Sequence, residues 1–171
     1  SPQMESVARD EAGDAEVIRQ GVANGAIVIP ANIHHTNLIP CGIGQGLRTK
    51  VNANIGTSSD FGNIATELEK LQVALDAGAD TVMDLSTGGD ITAICRAIIT
   101  ASSRAIGTVP IYQATIAAIE KYGAIVKMGT DELFGVIEEH ARDGVDFITV
   151  HCGVTQSAIA RLKQQKRVAD V

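Results

Sequence analysis

The chain has 171 residues, and its 14 lysines and arginines against 20 aspartates and glutamates give a formal net charge of −6. This length suffices for one domain with its own core, and an acidic balance without a basic patch disfavours a nucleic-acid partner. No apolar run approaches the roughly 18–20 residues of a membrane span, no signal peptide is visible and the three cysteines are far apart, so we expect a cytoplasmic protein.

Residues 1–46 are predicted to form an N-terminal segment of helix, strand and loop. The capping, apolar and turn residues predict a surface lead-in over Ser1–Arg9, a helix over Asp14–Ala23, a strand over Ala26–Ile29 and a loop over Ala31–Gly46. This loop contains the adjacent histidines His34 and His35. Because neighbouring side chains on an extended chain point to opposite sides, we expect a surface or substrate-loop role for them rather than a shared metal ion.

Residues 47–171 repeat a pattern of short apolar run, polar turn and amphipathic segment, which is typical of βα units. Four strands, each followed by polar residues, are predicted over Val51–Ile55, Thr81–Leu85, Ile106–Ile111 and Phe147–Val150. Helices are predicted over Ile64–Ala77, Ile91–Ala101, Ile116–Tyr122, Glu132–Arg142 and Ser157–Lys166. The final residues, Val168–Val171, are typical of the start of a fifth strand.

Helical periodicity also predicts which faces of two helices are buried. In the helix over residues 64–77, Glu67 is expected to face water, and the buried stripe is Ile64, Leu68, Leu71 and Leu75. In the helix over residues 132–142, His140 is expected on the solvated side, and the buried residues are Leu133, Phe134, Ile137 and Ala141.

Two architectures fit these βα units: a (β/α)₈ barrel and an open, doubly wound parallel sheet. Barrel closure needs about eight strands, and the chain has roughly half of them. A sheet that ended there would leave buried-type strands unpaired at its edges, so we expect either a fragment or a partner that completes the sheet. In both architectures ligands bind at the carboxyl ends of the strands, which is where the predicted polar residues lie.

Several residues at these strand ends are candidates for function. Asp84 lies within an apolar run and needs either a hydrogen-bond partner or a ligand. Gly88 and Gly89 precede a predicted helix, so their amides suit either a phosphate group or a plain tight turn. His151 is a candidate acid, base or substrate ligand. The adjacent Cys152 is a candidate nucleophile that lacks a second histidine to activate it.

Two other patterns argue against nucleotide binding and against aldolase-type catalysis. The glycine-rich stretch Gly42–Lys50 precedes a strand rather than a helix, so we do not expect it to bind a nucleotide. An aldolase-type lyase needs a Schiff-base lysine at a strand end. Lys50 is the candidate lysine, but it lies at the start of its strand, which disfavours that chemistry.

Longer stretches resemble the phosphomethylpyrimidine synthase (ThiC) family. They are Lys50–Asp60 (KVNANIGTSSD), Ala79–Asp90 (ADTVMDLSTGGD), Ile106–Ala114 (IGTVPIYQA) and Asp143–Thr155 (DGVDFITVHCGVT). Val28–His35 (VIPANIHH) resembles the N-terminal region of the same family. The order and spacing of these stretches match the family along nearly the whole chain.

The resemblance implies a (β/α)₈ barrel in a homodimeric lyase of thiamine biosynthesis, with this chain covering about the first half of the barrel. It implies a radical enzyme in which a [4Fe–4S] cluster cleaves S-adenosylmethionine. The resulting 5′-deoxyadenosyl radical rearranges 5-aminoimidazole ribotide to 4-amino-5-hydroxymethyl-2-methylpyrimidine phosphate. Carried over by motif, the substrate contacts are Asn54, Met83, Tyr112 and His151.

Other family features have no counterpart in the chain: a serine–arginine–glycine–glycine loop, the later substrate loops, two zinc histidines and a three-cysteine cluster motif. Ser103–Ala105 also replaces a proline-containing turn. We therefore interpret residues 47–171 as the first four βα units, without the C-terminal half and the iron–sulfur domain. We expect this chain to bind no cluster or zinc and to be inactive alone. Two alternatives stay open: a 5-hydroxybenzimidazole synthase of cobamide biosynthesis that uses the same ribotide, and a non-catalytic half-barrel that assembles with a partner.

Overall fold

A four-stranded parallel sheet carries the helices of this α/β fold, and a computed structural model describes residues 1–165. The helices are α1 (Pro2–Asp10), α2 (Ala15–Ala23), α3 (Ile64–Asp76), α4 (Ile91–Ala101), α5 (Pro110–Tyr122), α6 (Thr130–Asp143) and α7 (Gln156–Gln165), with a 3₁₀ turn over Ile125–Lys127. The strands are β1 (Ile27–Val28), β2 (Ile43–Gly44), β3 (Asn52–Ile55), β4 (Thr81–Asp84), β5 (Ala105–Thr108) and β6 (Phe147–Ile148). Strands β1 and β2 form a separate antiparallel pair.

Strands β3, β4, β5 and β6 lie side by side in chain order, and all of them are parallel. The register pairs Asn54 with Met83, Met83 with Gly107, and Gly107 with Phe147. A doubly wound sheet reverses its strand order at a switch point, and the described sheet has no such reversal. The sequential order therefore fits the predicted barrel better than the predicted doubly wound sheet.

One face of the parallel sheet is covered by helices. Its core joins strands β4 and β5 to helices α3 and α4 through Val82, Ile106, Leu71, Ile94 and Ile98. Thr108, two residues after Ile106 and so on the same face, is hydrogen-bonded to His140 of α6. Asn54 and Met83 belong to the opposite face by strand alternation. Barrels carry helices on the outer face only, whereas doubly wound sheets carry them on both. The barrel stays a prediction.

The N-terminal unit is attached to the amino ends of the strands by ion pairs. Lys50 Nζ donates to Glu11 Oε1 at 2.5 Å. The Arg48 guanidinium donates to Asp10 Oδ2 at 3.3 Å and also lies 2.6 Å from Asp80 Oδ1. The other Asp80 carboxylate oxygen accepts a hydrogen bond from the Val51 backbone N–H at 2.8 Å. These contacts lie at the amino end of the sheet, so they leave its carboxyl end accessible. The predicted domain division at residue 46 stays a prediction.

The first residues of the chain differ from the prediction. The expected surface lead-in over Ser1–Arg9 is helix α1, in which Val7 is 0% exposed and packs with Ile18 and Ile27. The prediction was wrong because Pro2 indicated coil, whereas proline is favoured at the first position of a helix. The short helix is stabilised mainly by this apolar contact with α2, since nine residues alone are marginal.

The third strand of the sheet is shorter than predicted, and the next helix is longer. Strand β5 ends at Thr108, and α5 starts at Pro110 and includes the stretch that was predicted as a separate short helix. Pro110 occupies the first turn, where the missing N–H has no intrahelical role. Val109 is extended, as the residue before a proline prefers to be. Tyr112 therefore lies in the first turn of α5 rather than after a strand.

Helices α3 and α6 bury different residues from those predicted. In α6, His140 is buried, whereas Phe134 is 62% exposed and Ala141 is also exposed. In α3, Glu67 is buried and Ile64 is exposed. The prediction was wrong for His140 because both of its ring nitrogens are paired inside the fold, and a paired polar group can be buried at small cost. Glu67 is buried although, among residues 1–165, only one of its carboxylate oxygens has a hydrogen-bond partner.

Part of the predicted C-terminal structure lies beyond the described residues. Helix α7 is observed, but its predicted end at Lys166 and the predicted strand over Val168–Val171 lie outside residues 1–165. Strand β6 covers only the first half of the predicted strand over Phe147–Val150. Among the helices within residues 1–165, none has the length and apolar character needed to cross a bilayer.

Candidate functional site

The candidate site is the carboxyl-end edge of the parallel sheet, where the four residues implied by the resemblance lie. Asn54 of β3 is exposed and is the register partner of the half-buried Met83 of β4. Tyr112, in the first turn of α5 after β5, is 37% exposed. His151 follows β6 and is exposed. The structure thus brings Asn54 and Met83 together and places Tyr112 and His151 after the next two strands.

The sheet face that carries Met83 is shaped by Gly107. A Cβ at Gly107 would lie 2.2 Å from the Phe147 ring, so this ring occupies the space next to the glycine. The Thr149 hydroxyl donates to Met83 Sδ at 3.9 Å, and the Thr149 N–H donates to the Thr108 carbonyl at 2.9 Å. Phe147 and Thr149 are therefore two further residues at this edge. The sequence alone did not single them out, because their position depends on the pairing register of β5 and β6.

The loops after β3 and β4 are interlocked. The Thr57 N–H donates to Ser86 Oγ at 3.1 Å, and Thr57 Oγ1 donates to the Gly88 carbonyl at 2.6 Å. Gly88 has no room for a side chain, because a Cβ there would lie 2.0 Å from the Ser58 carbonyl oxygen. The two loops therefore form one unit at the ends of the strands that carry Asn54 and Met83.

The glycine pair before α4 forms a tight turn with a capped helix, which was one of its two predicted roles. The Gly88 N–H donates to Thr57 Oγ1 at 3.2 Å, and the Asp90 carboxylate accepts from the Ala93 N–H at 3.0 Å. Gly89 has a φ of +73°, a left-handed conformation that favours glycine. The Gly88 amide is therefore already paired, which weakens the phosphate alternative.

Asp84 is buried and hydrogen-bonded within its own loop. Its Oδ1 accepts from both the backbone N–H and the hydroxyl of Ser86, at 2.9 and 2.5 Å. Burial raises the pKa of the Asp84 carboxyl, and the nearby Glu67 adds to this rise, while the Ser86 hydrogen bonds oppose it. By strand alternation Asp84 lies on the helix side of the sheet, opposite to Met83. These contacts favour the structural alternative for Asp84 over a direct ligand.

A buried polar cluster lies behind the first turn of α5. The Thr108 hydroxyl lies 2.8 Å from His140 Nδ1, and His140 Nε2 lies 2.9 Å from Gln113 Oε1. Asp84, Tyr112 and these three residues line one small cavity. Sequence reasoning missed His140 because its helix was assigned the wrong buried face. The spacing of Gln113 and His140 gives no local signal for their contact.

The remaining candidates for ions or covalent chemistry are placed apart. Cys41 and Cys95 are buried and Cys152 is exposed, and burial raises the pKa of the two buried thiols. Among residues 1–165, no group of three or more histidine, cysteine or carboxylate side chains is arranged to bind a metal. The described residues therefore do not fit an iron–sulfur cluster. Lys50 is paired with Glu11 at the amino end of the sheet, away from the candidate site.

The adjacent histidines of the N-terminal loop have different surroundings. His35 is buried, with its Nδ1 2.7 Å from Asp146 Oδ2 and its Nε2 2.9 Å from the Ser102 carbonyl. His34 is exposed. His35 does not have the surface role that was one of the two expected for the pair, and it connects the loop to the amino ends of β5 and β6. The substrate-loop role stays a prediction.

The sequential parallel strands and the helices between them define a βα-repeat protein, a class in which ligand sites lie at the carboxyl ends of the strands. A sequence profile of the radical SAM ThiC family matches residues 1–171. The chain belongs to the radical SAM ThiC family, and the resemblance inferred from its sequence motifs is confirmed.

Similar curated proteins carry the name phosphomethylpyrimidine synthase. The protein from Moorella thermoacetica is 62% identical over 168 residues, which are 98% of this chain and 39% of that protein. The protein from Desulforamulus reducens is 58% identical over 168 residues, with the same coverage. The protein from Dehalococcoides mccartyi is 56% identical over 171 residues, which are 100% of this chain and 40% of that protein. The chain thus spans about two-fifths of the length of these relatives.

Proposed function

We propose that this chain forms part of the substrate pocket of a radical S-adenosylmethionine enzyme that makes the pyrimidine phosphate of thiamine. The observation that carries the proposal is the position of Asn54 and Met83. The family resemblance makes both substrate contacts, and they are register partners on the sheet face opposite to Val82. Relatives that match this chain over 98–100% of its length are named for the synthesis of phosphomethylpyrimidine.

The substrate that fits the proposal is 5-aminoimidazole ribotide, which has a polar sugar phosphate and a flat heterocycle. The Asn54 amide nitrogen offers a donor, and its oxygen, which accepts from Asn52 Nδ2 at 2.8 Å, has a second lone pair. The Tyr112 hydroxyl and the His151 ring offer further polar groups. Met83 and Phe147 provide an apolar surface for the heterocycle. In this arrangement the chain binds and orients the ribotide, and the product is 4-amino-5-hydroxymethyl-2-methylpyrimidine phosphate.

Full-length radical S-adenosylmethionine enzymes use S-adenosylmethionine and a [4Fe–4S] cluster. The cluster supplies the electron that cleaves S-adenosylmethionine. Since the described residues do not fit a cluster, we assign its ligands, and those of zinc, to other parts of a full-length family member. We accordingly expect this chain alone not to cleave S-adenosylmethionine.

A chimera tests the proposal. The matching segment of the Moorella thermoacetica protein, which covers 39% of its length, is replaced by this chain, and the conversion of the ribotide is followed. The chimera is expected to make the pyrimidine phosphate, and Asn54→Ala is expected to lower kcat/KM about tenfold, the effect of losing about 1.4 kcal/mol of hydrogen bonding. The control is Gln72→Ala, an exposed residue of α3. A folded chimera that cleaves S-adenosylmethionine without converting the ribotide would contradict the proposal.

The two alternatives predict different outcomes. A 5-hydroxybenzimidazole synthase would release the benzimidazole from the same ribotide, so product analysis separates it from the proposed enzyme. The names of the relatives favour the pyrimidine product. A non-catalytic half-barrel would bind a partner along the sheet edges and would not bind the ribotide at all.

A further inference from the structure

We propose that His140 is a positioning residue of this site, which holds Tyr112 in place through Gln113. The assignment of Tyr112 as a substrate contact rests on the proposed function. The series of hydrogen bonds that connects His140 to the first turn of α5 does not rest on the proposed function, and it can be tested without any substrate.

The chain of hydrogen bonds joins four elements of the fold. It runs from Thr108 of β5 to His140 of α6, then to Gln113 of α5, and from there to Thr92 of α4 and Glu139 of α6. The distances are 2.8 Å from Thr108 Oγ1 to His140 Nδ1, and 2.9 Å from His140 Nε2 to Gln113 Oε1. Gln113 Nε2 lies 3.3 Å from Thr92 Oγ1 and 3.5 Å from Glu139 Oε2.

The direction of these hydrogen bonds follows from the Glu139 carboxylate, which can only accept. The Thr92 hydroxyl donates to Glu139 Oε1 at 2.9 Å, so Thr92 Oγ1 accepts from the Gln113 amide N–H. Gln113 Oε1 must then face His140 and accept its Nε2–H. Turning the amide over would place its oxygen against the carboxylate, which is unfavourable because neither group donates.

His140 is therefore held as the neutral ring with the proton on Nε2, and its Nδ1 accepts from the Thr108 hydroxyl. Burial lowers the pKa of His140, and the neighbouring Glu139 and Asp143 oppose this effect only in part. A neutral histidine is the one side chain that accepts at one ring nitrogen and donates at the other in a fixed geometry. A proton on Nδ1 alone would leave His140 Nε2 and Gln113 Oε1 as two acceptors that face each other without a proton between them.

These hydrogen bonds affect where Tyr112 can lie in the site. Gln113 and Tyr112 are adjacent in the first turn of α5, and Tyr112 lines the same cavity as His140 and Thr108. No side-chain cap supports the start of α5, so its first turn depends on other contacts. The hydrogen bonds through His140 fix this turn relative to β5 and α6. We infer that it limits the positions that the Tyr112 ring can take at the carboxyl edge.

A pair of substitutions at Thr108 tests this inference with little change in shape. Thr108→Val removes the hydroxyl that donates to His140, and Thr108→Ser keeps it. Gln113→Leu breaks the link to α5 directly. Ile98→Ala destabilises the core around α4 and removes none of these hydrogen bonds, so it controls for a general loss of stability. The full chain is labelled for NMR, and the ring nitrogens of His140 and the amide and ring signals of Tyr112 are recorded for each variant.

In the unsubstituted chain the His140 ring should be protonated at Nε2 and not at Nδ1. Thr108→Val and Gln113→Leu should shift the Tyr112 signals, while Thr108→Ser and Ile98→Ala should leave them in place. Where 5-aminoimidazole ribotide binds, its affinity should fall about fivefold to tenfold in Thr108→Val and recover in Thr108→Ser, as expected for one hydrogen bond of about 1 kcal/mol.

The inference is overturned if His140 carries its proton on Nδ1, a result that needs no variant. It is also overturned if the Tyr112 signals stay unchanged in both Thr108→Val and Gln113→Leu. Failure of the unsubstituted chain to bind the ribotide would count against the proposed function alone, since the His140 and Tyr112 signals still decide whether the positioning chain exists.

Discussion

His35 connects the N-terminal loop to the parallel sheet through two acceptors. Its Nδ1 lies 2.7 Å from Asp146 Oδ2 and its Nε2 lies 2.9 Å from the Ser102 carbonyl, and the side chains of His35 and Asp146 are 1% and 0% exposed. The Asp146 carboxylate also accepts from the backbone N–H groups of Asn32 and Ile106. Because both partners of the ring accept, His35 must carry two ring protons and a positive charge.

This pair predicts a pH-dependent contribution to stability. Burial by itself lowers the pKa of His35, but the Asp146 carboxylate and the Ser102 carbonyl outweigh it, so the pKa is raised. The stabilisation is therefore fully present below the unfolded-state pKa of about 6.5 and is lost as the pH rises through the raised folded-state pKa. His35→Gln should lower the free energy of unfolding in urea by about 3 kcal/mol at low pH, and by less in alkaline solution.

The adjacent His34 offers a matched control, because it is exposed. His34→Gln should change the free energy of unfolding by less than about 0.5 kcal/mol. A loss in His35→Gln that stays constant or grows as the pH rises would show that the ring is not held as a cation.

Removing the buried charge of Glu67, unlike that of His35, should change the free energy of unfolding only slightly. One carboxylate oxygen accepts from Lys70 Nζ at 2.5 Å, and the other is buried without a hydrogen-bond partner among residues 1–165. Since an unsatisfied buried oxygen is unfavourable, Glu67→Met should cost less than about 1 kcal/mol in urea unfolding. Leu71→Ala, one turn further along α3, should cost about 2–5 kcal/mol. A loss above about 2 kcal/mol in Glu67→Met would indicate a partner for the second oxygen.

At the scale of single residues, some positions in the fold follow from the sequence and others do not. The positions of Asn54, Met83, Tyr112 and His151 near the strand ends follow from local patterns and family motifs. The pairing of His35 with Asp146 does not, because 111 residues separate them in the chain. Burial of Glu67 and His140 also depends on partners in other turns or elements, so helical periodicity assigned both to the solvent.

Adding one methyl group at Gly88 should destabilise the interlocked loops after β3 and β4. A Cβ at Gly88 would lie 2.0 Å from the Ser58 carbonyl oxygen, and neither backbone can move without disturbing the other loop. Gly88→Ala should therefore lower the free energy of unfolding by about 1–3 kcal/mol, as overpacking does. It should also weaken ribotide binding, because both loops end strands of the candidate site.

The same substitution in helix α6 serves as the control. Gly135 is exposed and a Cβ there would meet nothing within 4 Å. Gly135→Ala should raise the free energy of unfolding by about 0.5–1 kcal/mol, because alanine favours a helix interior. Equal effects of the two substitutions would show that the loops are not interlocked.

At the scale of elements, the sequence predicted the types of most helices and strands and both limits of α4, while several other limits were misplaced. The four strands were recognised from short apolar runs that end in polar residues, and the helices between them from periodicity and capping. The end of β5 was misplaced because Pro110 was read as part of a strand, although it suits the first turn of a helix. Helix α1 was missed because its stability depends on packing against α2 and β1.

The whole sheet has two outer strands, and the described residues leave the outer edges of β3 and β6 unpaired. A groove beside β3 is lined by residues of β3 and α3, among them Asn54, Glu69, Lys70 and Val73, and Val73 is 69% exposed. Because open edges and apolar surface favour association, the isolated chain should sediment as a dimer or larger species. Val73→Lys should shift it toward the monomer. A monomer at all concentrations would contradict this expectation of a homo-oligomer.

The overall architecture was predictable in outline. Repeated βα units indicate a parallel sheet, and the structure adds a strand order that fits a barrel better than a doubly wound sheet. The register that pairs Asn54 with Met83, and the cluster behind Tyr112, are properties of the assembled sheet. They depend on contacts between elements, which local patterns in the sequence do not specify.

The central claim is that the carboxyl edge of this sheet binds the ribotide, and NMR titration of the chain with 5-aminoimidazole ribotide tests it most directly. We predict saturable shifts at Asn54, Met83, Tyr112 and His151, and weaker binding in Asn54→Ala. Saturable shifts only at the amino end of the sheet, near Lys50 and Asp80, or no saturable shift at Asn54 and Met83, would contradict the account.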